Sequence, residues 1–89
     1  MSSVRVYTSG FCGYCWAAKA LLKKEGIPFE EVSVDGDPAA RRALAQRAGR
    51  TSVPQIWIGE THVGGSDELH ALHRRGTLEP LLAAEGIRR

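Results

Sequence analysis

The feature that most restricts how this chain can fold is the order of its periodicities. Short alternating apolar runs give way three times to stretches of helix formers, with glycine or proline marking the changes. Val4-Arg5-Val6-Tyr7 alternates with period two and reads as a strand. Positions 14–25 are rich in Ala, Leu and Lys, and Gly26 followed by Pro28 ends the helix expected there. Positions 29–34 alternate again. Asp37 before Pro38 reads as an N-cap with proline at the first helical position, opening a helix that Gly49 closes. Gln55-Ile56-Trp57-Ile58 is an apolar strand, and the turn Gly59-Glu60 joins it to a short partner at 61–63. Ser66 is then the expected cap of a helix over 67–75, and Thr77 that of a last short helix over 78–84.

The order β-α-β-α-β-β-α, with a short helical tail, predicts an α/β fold. A strand joined to the next through a helix is expected to be parallel and right-handed, and the hairpin adds an antiparallel pair. The result is a mixed four-stranded sheet with helices on both faces. A chain of 89 residues fits one domain, 1–89, able to bury a core without metal or disulfides. Its net charge of +2 provides no dense basic face for nucleic acid. The pairs Arg41-Arg42, Arg74-Arg75 and Arg88-Arg89 are scattered and read as solvated surface. No apolar stretch approaches the eighteen or so residues of a membrane span, and the N-terminus lacks the pattern of a secretory signal. A reducing cytoplasm is expected, where a permanent structural disulfide is disfavoured.

That expectation bears on Cys12 and Cys15, the only cysteines, separated by Gly13 and Tyr14 at the start of the first helix. Such a pair suits redox chemistry or metal binding. Zinc needs four ligands, and the candidate second pair, His70 and His73, sits far down the chain at i, i+3. Redox chemistry needs only the helix. Backbone N–H groups of a first turn have no intrahelical partner and can bond a sulfur at Cys12. Hydrogen bonds to a charged group, about 1.5–3 kcal/mol, outweigh the helix dipole, about 0.3–1 kcal/mol, and together they favour the thiolate. Cys15, one turn along, is expected to face inward and stay protonated. Cys12 is then the attacking thiol and Cys15 the resolving one. Gly13 leaves the backbone beside Cys12 freer than proline would.

With CGYC at the first helix, SVP at 52–54 and GGSDEL at 64–69, the chain resembles the small bacterial dithiol glutaredoxins, from about position 4 to 82. The resemblance implies the thioredoxin fold, glutathione as co-substrate and a glutathione site. It implies that Pro54 is cis and faces the active cysteine. The backbone of Val53 would pair with the cysteinyl part of glutathione as an added strand does. Ser66 and Asp67, with Gly65 before them, would hold the γ-glutamyl end. Arg50 lies where the glycyl carboxylate is expected, Tyr14 beside the tripeptide, and Ser52 within the same glutathione site. Phe11, Trp16 and Trp57 read as packing residues. One position departs: relatives often carry lysine three residues before the first cysteine, where this chain has Ser9. Weaker glutathione binding and less help to the Cys12 thiolate are expected from it.

The resemblance implies a glutathione-dependent thiol–disulfide oxidoreductase, a monomer acting on glutathionylated or disulfide-bonded proteins. An alternative of another kind is a [2Fe–2S] cluster held between two copies by Cys12 and two glutathiones, which Gly13 permits. A third is a donor reduced by a flavoprotein, against which the GGSD segment argues, since it suits glutathione.

Overall fold

The structure is a computed structural model that describes residues 3–10, 12–50 and 52–87. Its elements run β1 (Val4–Thr8), α1 (Gly13–Lys24), β2 (Glu30–Ser33), α2 (Pro38–Ala48), β3 (Gln55–Ile58), β4 (Thr61–Gly64), α3 (Ser66–Arg74) and α4 (Leu78–Ala84). The sheet order is β2-β1-β3-β4. β1 and β2 are parallel, and β3 is antiparallel to both β1 and β4. This is the mixed four-stranded sheet expected from the sequence.

Alternation along the central strands sorts their side chains onto two faces. Val4, Val6, Ile56 and Ile58 point to one, where Ala18, Leu21 and Leu22 of α1, Leu69 of α3, and Leu78 and Leu82 of α4 complete the larger core. Tyr7 and Trp57 point to the other, where Val34, Leu44 and Ala48 form a smaller cluster under α2. On α1 the buried positions are Cys15, Ala18, Leu21 and Leu22, one stripe at helical spacing, so Cys15 shares the face that packs on the sheet.

Local chemistry sets most boundaries. Asp37 Oδ1 accepts from Ala40 N at 3.0 Å, Pro38 begins α2, and Gly49 ends it with φ 76°, the left-handed C-cap that glycine adopts most cheaply. Two expected caps are corrected. Ser66 is the first helical residue of α3; the cap is Gly65, whose N–H donates to Glu68 Oε2 at 3.2 Å, the returning half of a capping box. Thr77 holds the N-cap position of α4, but its hydroxyl donates backward to Leu72 O at 3.1 Å and makes no capping bond. The second strand is shorter than the alternation of 29–34 suggests. As an edge strand it buries little, and pairing stops at Ser33.

Candidate active site

Strand direction gathers three distant segments at one end of the sheet. Tyr7 near the end of β1 pairs with Gln55 at the start of β3, because the two strands are antiparallel. Cys12 follows the first and Pro54 precedes the second. β4 runs back along β3 until Gly64 lies beside Ile56, which delivers Gly65, Ser66 and Asp67 to the same end.

Cys12 is the N-cap of α1. Its extended backbone, φ −119° and ψ 108°, lets the sulfur occupy the place usually taken by a serine or aspartate oxygen, and Cys15 N donates to Cys12 Sγ at 3.2 Å. The thiol in turn donates to Val53 O at 3.4 Å. Cys12 is half-buried whereas Cys15 is buried, and both are free thiols. Burial, followed by the hydrogen bond with Cys12, pushes the Cys15 thiol up to about 11. Of the two sulfurs, Cys12 is the more accessible.

The Val53–Pro54 peptide bond is cis, as the resemblance implied. Beside it lies a shallow, open groove of about 130 Å³. Tyr14, Arg50, Ser52, Val53, Pro54, Gly65, Ser66 and Asp67 all line it, so the fold brings these residues to one place. Cys12 borders this groove through its contact with Val53 O. The amides of Ser66 and Asp67 belong to the first turn of α3, whose donors lack intrahelical partners.

Two lining residues went unread in the sequence: Gln55 and Glu68. Arg50 Nη2 donates to Glu68 Oε1 at 3.1 Å, and the other Glu68 oxygen takes the Gly65 amide. Its own backbone N–H, then Arg50, hold the Glu68 carboxyl below the usual carboxylate range. Gly64 makes room for this pair: a Cβ there would stand 2.9 Å from Glu68 Oε1 and 3.0 Å from Arg50 Nη2, and its φ is 112°. Gln55 Nε2 donates to Ser52 O at 2.9 Å, an acceptor that fixes the amide's orientation. Gln55 Oε1 consequently accepts from His62 Nε2 at 2.8 Å. Burial, then Arg50, lowers the His62 pKa, and the ring stacks on Trp57 with centroids 4.4 Å apart. This chain of contacts braces the loop carrying the cis bond from behind.

Ser9, which carries no charge, donates to Asp35 Oδ1 at 2.8 Å while Gly10 N donates to Asp35 Oδ2 at 2.7 Å. The carboxylate ties the loop before Cys12 to the turn after β2. Trp57 packs in the smaller core as expected, but Trp16 does not: it is 71% exposed. The expectation for Phe11 lies outside the described residues. Among the described residues no three His, Cys, Asp or Glu side chains are arranged to hold a metal ion.

A dithiol at the mouth of the first helix, facing a cis-proline in a thioredoxin fold, defines a thiol–disulfide oxidoreductase. Comparison with known proteins narrows the class. The glutaredoxin family model matches residues 4–63. The chain is 56% identical over 84 residues to a glutaredoxin of Pseudomonas aeruginosa, covering 94% of this chain and all of that one. It is 50% identical over 82 residues to glutaredoxin 3 of Escherichia coli K12, covering 92% and 99%. A crystal structure of a buckwheat glutaredoxin–glutathione complex superposes with a TM-score of 0.88 at 32% identity, covering 99% of this chain and 83% of that one. The chain belongs to the glutaredoxin family.

Proposed function

We propose that this protein is a glutathione-dependent oxidoreductase that reduces protein–glutathione mixed disulfides and protein disulfides, with Cys12 as nucleophile and Cys15 as resolving thiol. The observation that carries the reading is the Cys12 Sγ contact with Val53 O, which sets the accessible sulfur at the border of the groove. Val53 presents its backbone to the cysteinyl unit of glutathione, as an added strand would. Asp67 meets the ammonium, the first-turn amides of α3 meet the γ-glutamyl carboxylate, and Arg50, held by Glu68, meets the glycyl carboxylate.

Glutathione bound at Val53 takes the carbonyl that Cys12 S–H uses, which frees the sulfur toward the groove while the Cys15 amide still faces it. The Cys12 thiolate attacks the glutathionyl sulfur. A new S–S bond forms, the old one breaks, and its electron pair leaves on the partner's sulfur, which takes a proton from solvent. A second glutathione thiolate then attacks the glutathionyl sulfur, releasing oxidised glutathione and the Cys12 thiolate. With a protein disulfide, Cys15 attacks the Cys12 sulfur of the intermediate and expels the second protein thiol, and two glutathiones then reduce the Cys12–Cys15 disulfide, leaving as oxidised glutathione. This chemistry suits a monomer in a reducing cytoplasm. Cys12→Ser is expected to abolish turnover in a glutathione-coupled assay, and full activity in that variant would refute the assignment.

A second reading rests on Gly13, which leaves the backbone beside Cys12 freer than any residue with a side chain would. The unhindered backbone suits rotation of Cys12 outward to a [2Fe–2S] cluster shared with a second copy and two glutathiones, since one chain offers a single reachable thiolate. Anaerobic reconstitution is expected to give a coloured dimer, and a colourless monomer refutes it.

A further inference from the structure

The first turn of α1 keeps two large aromatic side chains in solvent, Tyr14 at 67% exposure and Trp16 at 71%. Tyr14 lines the groove beside Val53, but Trp16 does not. Trp16 N donates to Cys12 O at 3.2 Å, so the two residues stand one helical turn apart on the same side. Long side chains on a helix lean toward its N-terminus, which aims this indole back toward Cys12. The stripe continues through Ala20 to Lys23, with Lys24 beside it, and α1 carries no acidic residue anywhere in its length. Lys19 is met by Glu31 at 2.9 Å, with Lys23 a more distant positive charge to the same carboxylate, and Lys23 and Lys24 both lie on the exposed face.

We propose that this face, Trp16 with Lys23 and Lys24, is the docking surface for the polypeptide part of protein substrates. The segment it fits is acidic and bears an apolar side chain next to the disulfide-bonded cysteine. Trp16 supplies a rigid aromatic anchor of the type that dominates protein interfaces, and the lysines supply complementary charge. The groove holds glutathione while this surface holds the leaving protein, an inference that rests on the reading in the preceding subsection. A small mixed disulfide of glutathione has no segment to place there, so Trp16 determines specificity and takes no part in the chemistry.

The test compares three glutathione mixed disulfides: one with 2-mercaptoethanol, and two with peptides carrying leucine beside the cysteine and either acidic or basic flanks. Trp16→Ala is expected to lose about tenfold in kcat/KM on the acidic peptide and nothing on the small disulfide. Lys23→Glu with Lys24→Glu is expected to reverse the preference between the peptides, and high salt to erase it. Binding of the acidic peptide with serine for cysteine, read by fluorescence anisotropy on the Cys12→Ser protein, checks docking without turnover. Equal losses on small and peptide substrates, or unchanged peptide binding in Trp16→Ala, would overturn the proposal. So would a wild-type dimer that Trp16→Ala converts to a monomer, which would make this face a contact between copies. A protein that binds the peptide but turns over no mixed disulfide instead refutes the glutathione reading alone.

Discussion

Cys15 supports a quantitative test of how the two thiols divide their work. Its side chain is only 2% exposed, and burial is the main reason its thiol lies at about 11. At pH 7 about one Cys15 in ten thousand is ionised, against about three in a hundred for an ordinary thiol near 8.5. A more basic thiolate is a better nucleophile, and a Brønsted coefficient of about 0.4–0.5 returns roughly 15-fold. Cys15 is left behind a free thiol by roughly 20-fold at neutral pH. Proximity reverses this, because well-oriented intramolecular reactions reach effective molarities of about 10⁵ M or more. Under the proposed mechanism, resolution by Cys15 is therefore fast, yet its rate tracks a scarce thiolate.

The expected signature is a rate of intramolecular resolution that rises about tenfold per pH unit across roughly pH 6 to 9 without levelling. Once Cys12 is in a disulfide its contribution to the Cys15 shift is lost, but burial, the larger cause, persists and keeps the bend above the ordinary thiol range. The measurement is a stopped-flow pH jump on protein glutathionylated at Cys12, following release of glutathione. Cys15→Ser, resolved by added glutathione, is expected to level near the ordinary thiol pKa of about 8.5. A wild-type plateau at or below about pH 8 would refute the claim that burial holds Cys15 protonated.

Three further outcomes are expected. Ser9→Lys places an ammonium against Asp35, whose carboxyl the Ser9 hydroxyl and then the Gly10 amide hold below its usual range; the alkylation rate profile of Cys12 should shift little in that variant and clearly only in Ser9→Lys with Asp35→Asn. Equal shifts in both would refute it. Glu68→Gln loosens an Arg50 pair that is roughly half exposed, so the KM for glutathione in steady-state assays should rise at most about fivefold with kcat unchanged. Leu22→Ala removes a side chain with no exposed surface in the larger core; a loss of about 2–5 kcal/mol and a fall in Tm of about 10 °C or more are expected by calorimetry, at unchanged kcat in the fraction that stays folded.

The parts legible in the sequence were those decided by neighbours along the chain. Asp37, Pro38 and Gly49 bound α2 by chemistry that spans a few residues, and the spacing of Cys12 and Cys15 put one sulfur at the cap and the other on the buried stripe. Ser66 was misjudged as a cap because two adjacent residues can cap, and the deciding partner is Glu68, whose place three residues after Gly65 was a usable signal. Trp16 was misjudged from its apolarity; its angular position lies off the stripe of Cys15, Ala18 and Leu22. Gln55 could have been suspected, since a polar residue opening a buried strand needs partners, and Ser52 and His62 provide them. The Ser9–Asp35 bond joins positions 26 apart in different loops, and no spacing rule predicts it.

The convergence at the site depends on register more than on any one lining residue. Val4 pairs with Ile58, and Val6 with Ile56, on the core face, while Tyr7 and Trp57 stand 5.3 Å apart on the other, so packing on both faces locks β3 against β1. A slip of two residues would preserve which side chains face inward. It would also carry Pro54 and Val53 about 6.7 Å along the strand, far outside the 3.4 Å contact between Val53 O and Cys12 Sγ. What excludes the slip is shape. The close fit of Leu22, Ile56 and Leu69 in the larger core, and of Trp57 against Tyr7 and His62 opposite, would be lost at the shifted register. Residues that touch neither thiol thus fix the distance on which the redox chemistry depends.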